Sequence, residues 1–253
     1  MRLPPPLRGG RAAFLFLTRI PVGGAPYSEE DWRWAGGWFP FVGLCLGLLL
    51  AGVWKASSLF GAWPTAALVL GAGMLATGGL HEDGLADTAD ALGGGTSRER
   101  ILEILKDSRV GTFGAAALAI SFLLRAGCWV ELSERAASAM VLSHCLSRAP
   151  PVWLMAVLPY VSGTGAKSRQ VARSGWAQVA LATSWPLALL ALGVGMGWIR
   201  VAGAAVLVGA SAVLAAACAA RFRARVGGIT GDFLGATQQV VECAICLALV
   251  AQR

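Results

Sequence analysis

Residues 62–90 read AWPTAALVLGAGMLATGGLHEDGLADTAD. The stretch 62–80 carries no charge and is long enough to enter a bilayer, whose core needs about 20 apolar residues of helix. Four carboxylates follow at once, Glu82, Asp83, Asp87 and Asp90. Asp83, Asp87 and Asp90 are spaced i, i+4, i+7, within about 60° of one another on a helix. Like charges so placed repel, and a cation removes that cost. Carboxylate oxygens with one adjacent histidine, His81, and no thiol suit a hard ion such as Mg²⁺, which takes one or two carboxylates plus phosphate oxygens. Glu82 points about 100° off the shared face and is the weaker ligand.

Outward from this stretch, the chain is apolar nearly throughout. Of 253 residues 56% are hydrophobic and 14% charged, with mean hydropathy +0.64, against about 25% charged in soluble domains. Seven segments read as spans: roughly 36–60, 62–80, 112–130, 137–159, 179–199, 201–220 and 235–251. The expected fold is an all-α, polytopic membrane helix bundle of about seven transmembrane helices, one domain over 1–253. The apolar part of the N-terminus, Phe14 to Leu17, is too short for a cleavable signal and leads into Thr18-Arg19-Ile20-Pro21. A short surface-lying or re-entrant segment is expected near 11–20. The six cysteines fall in apolar segments, where they read as small packing residues.

The net charge of +7 raises nucleic acid as a partner, but its distribution argues for membrane topology. With the N-terminus cytoplasmic and seven alternating spans, fifteen Lys and Arg fall inside and four (Lys55, Arg135, Arg200, Arg253) fall outside. That is a strong positive-inside bias. The polar connections 81–111, 160–178 and 221–235 then share the cytoplasmic side and are the expected active-site loops. Within the first, Gly93-Gly94-Gly95 stops a helix, and Thr96-x-x-Glu99 fits a capping box for a short amphipathic one.

These loops bring acids, bases and glycines to one face, the equipment for transferring a substituted phosphoryl group. Asp83, Asp87 and Asp90 lead the metal-ligand candidates, with Asp107 and Asp232 beside them. Lys106 and Arg109 are candidates for a diphosphate, Arg109 through its bidentate fork. Arg148 lies within a span, next to Ser147 and before Pro150-Pro151, so a broken helix around a polar cavity is expected, with both residues on substrate phosphate. His144 reads as an interhelical hydrogen bonder. Glu242, an acid inside the last span, needs a partner.

Three blocks carry a family resemblance: His81-x-Asp83-Gly84-Leu85-Ala86-Asp87-Thr88-x-Asp90, Lys106-Asp107-Ser108-Arg109-x-Gly111-Thr112-x-Gly114, and Thr230-Gly231-Asp232-x-Leu234-Gly235-Ala236. Together with Phe16-Leu17-Thr18-Arg19-Ile20-Pro21-Val22 they resemble the cobalamin synthase family, the adenosylcobinamide-GDP ribazoletransferases. The match runs from near residue 14 to near 242. It implies a multi-pass enzyme of the cell inner membrane, contacting membrane lipids, that acts in the last steps of cobalamin biosynthesis. Its small-molecule substrates would be adenosylcobinamide-GDP and α-ribazole or α-ribazole 5′-phosphate. GMP would leave, with the ribose 5′ oxygen as the attacking group. Mg²⁺ is the implied cofactor, and Asp87, Asp90 and Arg109 carry the catalytic expectation. Self-association into a homo-oligomer stays open. Two alternatives are weighed. CDP-alcohol phosphotransferases share a DG-x-A-D arrangement, but Ala86-Asp87 stands where that family has Ala-Arg. A divalent cation transporter would hold its acids near the midplane, whereas here they cluster at a span end.

Overall fold

The computed structural model describes residues 4–23, 27–161, 171 and 174–252. It is helical, with no β-strand among the described residues: α1 (Pro5–Leu17), α2 (Glu29–Ser57), α3 (Ala62–Thr77), α4 (Leu80–Gly94), α5 (Arg98–Ile104), α6 (Thr112–Leu132), α7 (Ala136–Leu146), α8 (Ala149–Val157), α9 (Trp176–Gly195), α10 (Val201–Val226) and α11 (Gly231–Val250). The chain is a multi-pass membrane protein with an all-α bundle.

Helix α2 is the axis. It starts in a capping box, in which the Asp31 amide donates to Ser28 Oγ at 3.2 Å and the Ser28 amide donates to Asp31 Oδ2 at 2.9 Å. The other Asp31 oxygen pairs with Arg8 of α1 at 2.9 Å, so one carboxylate both starts α2 and straps α1 along it. Helices α1, α3, α7 and α9 pack around α2. The segment expected to lie near 11–20 is thus the longer helix α1.

Among the described residues, five helical runs are long and apolar enough to cross a membrane, or six if the bent pair α3 and α4 counts as one. The expectation of seven is not reached on that count. It requires Thr112–Val157, a 46-residue run, to count twice. At about 1.5 Å per residue that run is roughly twice the ~30 Å of a bilayer core. It breaks at the 3₁₀ turn Ser133–Arg135, where Ser133 has φ +50°. It breaks again at Ser147–Arg148, where Pro150 and Pro151 fit the first turn of α8. That second break is the one the double proline predicts.

A sharp turn joins α3 to α4. Gly78 and Gly79 have φ +72° and +71°, left-handed backbone that glycine adopts without a Cβ penalty, and the helices meet at 94°. The 81–111 segment is therefore mostly helix rather than loop. Its short helix α5 is capped by Ser97, which accepts from the Arg100 amide at 3.2 Å, not by Thr96. The 221–235 segment also departs from expectation. Helix α10 continues through Arg221, Arg223 and Arg225, and only residues 227–230 separate it from α11. Most of the 160–178 loop, including Gly163, Gly165, Lys167, Arg169 and Arg173, lies outside the described residues.

One end of the bundle collects the chemistry. Gly84 of α4 lies against the start of α11, where a Cβ would come within 2.9 Å of the Asp232 carbonyl. The Ile229 amide donates to the Pro159 carbonyl and the Val161 amide to the Ile229 carbonyl, both at 2.9 Å. Arg98 Nε donates to the Val226 carbonyl at 2.9 Å, and Arg225 returns a bond to the Gly95 carbonyl. Phe222 and Phe233 stack at 4.2 Å and bind α10 to α11.

Candidate active site

Helix α4 has two characters. His81, Glu82, Gly84, Ala86, Thr88 and Ala91 are buried, while Asp83 is exposed and Asp87 and Asp90 are half-buried. The i, i+4, i+7 stripe is thus the open side of the helix. Asp232, first turn of α11, stands beside it. The charges bearing on Asp87 are those of Asp83, Asp232 and Asp90, and Asp83 also bears on Asp232. The four carboxylates form one negative rim.

Asp90 is committed. Its Oδ2 accepts from the Gly111 amide at 2.7 Å and its Oδ1 from the Gly114 amide at 2.9 Å. Both donors belong to the N-terminus of α6, whose first amides have no partner within the helix. Asp90 therefore caps α6 from a different helix. Gly114 is required by this contact, because a Cβ there would run into the Asp90 carboxylate.

Asp107 and Arg109 hold each other. Arg109 Nε donates to Asp107 Oδ1 at 3.0 Å and Oδ2 at 3.2 Å, and Nη2 donates to Oδ2 at 2.6 Å. The guanidinium holds the Asp107 carboxyl down to about 2, so the pair persists at neutral pH. The Arg109 side chain is 86% exposed and Lys106 is exposed. This fork sits just before α6, whose start Asp90 caps.

Beneath the rim lies a layer of buried polar side chains. Arg125 of α6 donates to Glu242 Oε1 of α11 at 3.2 Å and to Glu82 Oε1 of α4 at 3.3 Å. Gln239 Nε2 reaches the same Glu82 oxygen at 3.2 Å, and Ser121 Oγ donates to Gln239 Oε1 at 3.0 Å. Gln238 Nε2 donates to Glu242 Oε2 at 2.5 Å and to Ser147 Oγ at 2.9 Å. His144 Nδ1 lies 3.4 Å from Glu242 Oε1, and Arg148 Nη1 donates to the His144 carbonyl at 2.7 Å. Arg148 Nε is buried without a hydrogen-bond partner among the described residues. A cavity of about 20 Å³ opens among His81, Glu82, Arg125, Arg148 and Glu242, room for about one water. The partner that Glu242 needs is Arg125, and His144 is an interhelical contact, as expected. Ser147 and Arg148, expected on substrate phosphate, are 0% and 3% exposed and belong to this buried layer.

A family model described as cobalamin-5-phosphate synthase matches residues 9–250. The chain belongs to that family. It is 39% identical to an adenosylcobinamide-GDP ribazoletransferase of Leptothrix cholodnii, over 94% of this chain and 93% of that one. A Mesorhizobium japonicum protein of the same name is 40% identical over 92% and 89%, and one from Brevibacillus brevis 36% over 94% and 96%. No solved structure matches.

For this member of the cobalamin-5-phosphate synthase family, the structure brings Asp83, Asp87, Asp90 and Asp232 together and sets Asp107, Arg109 and Lys106 on an exposed turn. Among the described residues no group of three or more His, Cys, Asp or Glu side chains is placed to close on one ion. The rim nevertheless fits Mg²⁺: it is carboxylate-only, its charges are all of one sign around Asp87, and Mg²⁺ asks for only one or two carboxylates when phosphates supply the rest. Sequence reasoning missed the part played by Arg125, Gln238, Gln239 and Ser121. The signal was present: Gln238, Gln239 and Glu242 fall at i, i+1, i+4 inside one apolar span.

Proposed function

We propose that this chain is the membrane transferase that joins adenosylcobinamide-GDP to α-ribazole or its 5′-phosphate, releasing GMP and giving adenosylcobalamin or its 5′-phosphate. The observation that carries the reading is the rim of Asp83, Asp87 and Asp232 at the bundle end, in a chain that matches the family over residues 9–250. A ribose hydroxyl attacks the phosphorus bound to the cobinamide side, the phosphoanhydride bond breaks, and GMP takes the electron pair. One detail of the sequence reading changes on chemical grounds. In an acceptor that carries a 5′-phosphate the 5′ oxygen is already esterified, so the attacking oxygen we propose is another ribose hydroxyl.

Mg²⁺, held by Asp83, Asp87 and Asp232, would neutralise the diphosphate and polarise its phosphorus. Asp90 keeps the start of α6 in place and presents its remaining lone pairs to the same space. Asp87, freer than Asp90 and with one oxygen left off the ion, would be the carboxylate that accepts the hydroxyl proton. Arg109 would leave Asp107 for the nucleotide phosphates, and the freed Asp107 would be a further candidate metal ligand. Lys106 adds charge at the same turn. The positive-inside count supports a cytoplasmic face for this end and the N-terminus, and the cell inner membrane is the proposed location.

The test is turnover of purified protein in liposomes with adenosylcobinamide-GDP, α-ribazole and Mg²⁺. GMP and cobalamin should appear together and vanish with EDTA and in Asp87→Ala. Absence of GMP with either acceptor, from folded protein supplied with Mg²⁺, overturns the reading.

A further inference from the structure

At the end of the bundle opposite the carboxylate rim, a cavity of about 680 Å³ opens between the start of α7, the end of α9, the start of α10 and the end of α11. Helix α11 separates the two ends by 20 residues, about 30 Å and the thickness of a bilayer core. The cavity therefore sits at headgroup depth.

Its charged groups suit an anion, while the Gln252 side-chain oxygen lies against Gly203. The cavity is bordered by Arg135 and Arg200, both exposed and in no ion pair among the described residues. It reaches the first turn of α10, Val201 to Gly203. That 26-residue helix has no side-chain cap and no acid in its first turn, so its leading amides and dipole are uncompensated. Gln252 adds a side-chain Nε2 that is buried without a partner among the described residues. The rest of the wall is apolar, with Leu142, Val206 and Leu249, and Trp198 at the edge as in an interfacial aromatic belt. Val201, Met196 and Leu192 around it are more than half exposed, apolar surface that faces acyl chains.

We infer that this cavity binds a phospholipid, its phosphate between Arg135, Arg200 and the N-terminus of α10, and an acyl chain along Leu142, Val206 and Leu249. A helix N-terminus with two arginines answers a phosphate. Apolar walls of this volume answer a chain, and a free inorganic anion would leave them wet. The inference is independent of the transferase reading, since no residue of the carboxylate rim takes part.

The test uses delipidated protein in detergent, followed by native mass spectrometry and thermal unfolding. Phosphatidylglycerol should bind at one molecule per chain and raise the unfolding midpoint saturably. Diacylglycerol and inorganic phosphate should each fail to reproduce the shift. The Arg135→Ala/Arg200→Ala double variant should weaken phosphatidylglycerol binding about thirtyfold, while its circular dichroism and its GMP release in detergent stay at the wild-type level. Val206→Trp, which fills the apolar wall, should also abolish binding with both arginines intact. Equal stabilisation by diacylglycerol would overturn the phosphate contact. Saturation by inorganic phosphate alone would reduce the cavity to a small-anion site. Unchanged binding in the double variant would overturn the proposal outright.

Discussion

Asp83 and Asp90 lie on one stripe of α4, yet their surroundings give them opposite burdens. Asp90 spends both oxygens on the amides of Gly111 and Gly114. Asp83 is exposed. Asp90→Asn places an amide donor against two backbone donors and should cost about 1–3 kcal/mol of stability, read as a lower unfolding midpoint. Asp83→Asn should leave the midpoint unchanged and cut GMP release about 10²–10³-fold. Equal midpoints for the two variants would remove the capping role. Arg109→Ala breaks only an exposed pair, so stability should move by less than about 0.5 kcal/mol. The KM for adenosylcobinamide-GDP should rise instead, and an unchanged KM would take Arg109 off the diphosphate. At this scale the stripe was legible because helical spacing is written in the sequence. The cap was not, because Asp90 meets residues 21 and 24 positions away that only the tertiary fold brings near.

Three helices meet on one guanidinium. Arg125 ties α4 through Glu82 and α11 through Glu242, and so fixes the helix that carries Asp83 and Asp87 against the one that carries Asp232. Arg125→Ala strands two buried carboxylates and should cost about 3–5 kcal/mol. Arg125→Met combined with Glu82→Gln and Glu242→Gln should recover most of that stability. If the triple variant is no more stable than the single one, the three do not act as a unit. Gly84→Val would push α4 off α11, since even a Cβ comes within 2.9 Å of the Asp232 carbonyl. The helices themselves were legible from hydropathy, and the break before α8 from Pro150-Pro151. Their polar ends were misjudged. The arginines at 221, 223 and 225 look like loop, yet the last turns of a helix welcome cations against the dipole. Likewise four acids hid the fact that α4 is a packed helix: three lie on its open side, and the fourth, Glu82, is buried against Arg125.

For the molecule as a whole, the two ends of the bundle differ in kind: a carboxylate rim with its basic turn at one, an anion-suited cavity at the other. The proposed orientation, with the carboxylate rim in the cytoplasm, rests on the lysine and arginine count. A cysteine introduced as Ser97→Cys should react with an impermeant maleimide only from the cytoplasmic side, and one introduced as Ser133→Cys only from the outside. Reversed labelling would invert the assignment. A proposed orientation could be read from the charges along the chain, whereas the cavity could not, since its walls come from α7, α9, α10 and α11 and share no local pattern.

The glycine pair at 78 and 79 has a bearing on how the protein is made. A segment with four acids gains little by leaving a translocon sideways into lipid. The right-angle turn lets α3 enter the bilayer while α4 waits at its edge. The surface that α4 finally packs against belongs to α11, which emerges from the ribosome only after α5 to α10. Until then Glu82 has no Glu242 across Arg125 and Asp83 has no Asp232. A nascent chain that stops short of α11 would therefore hold the acids of α4 without the partners that complete the rim and the buried layer beneath it.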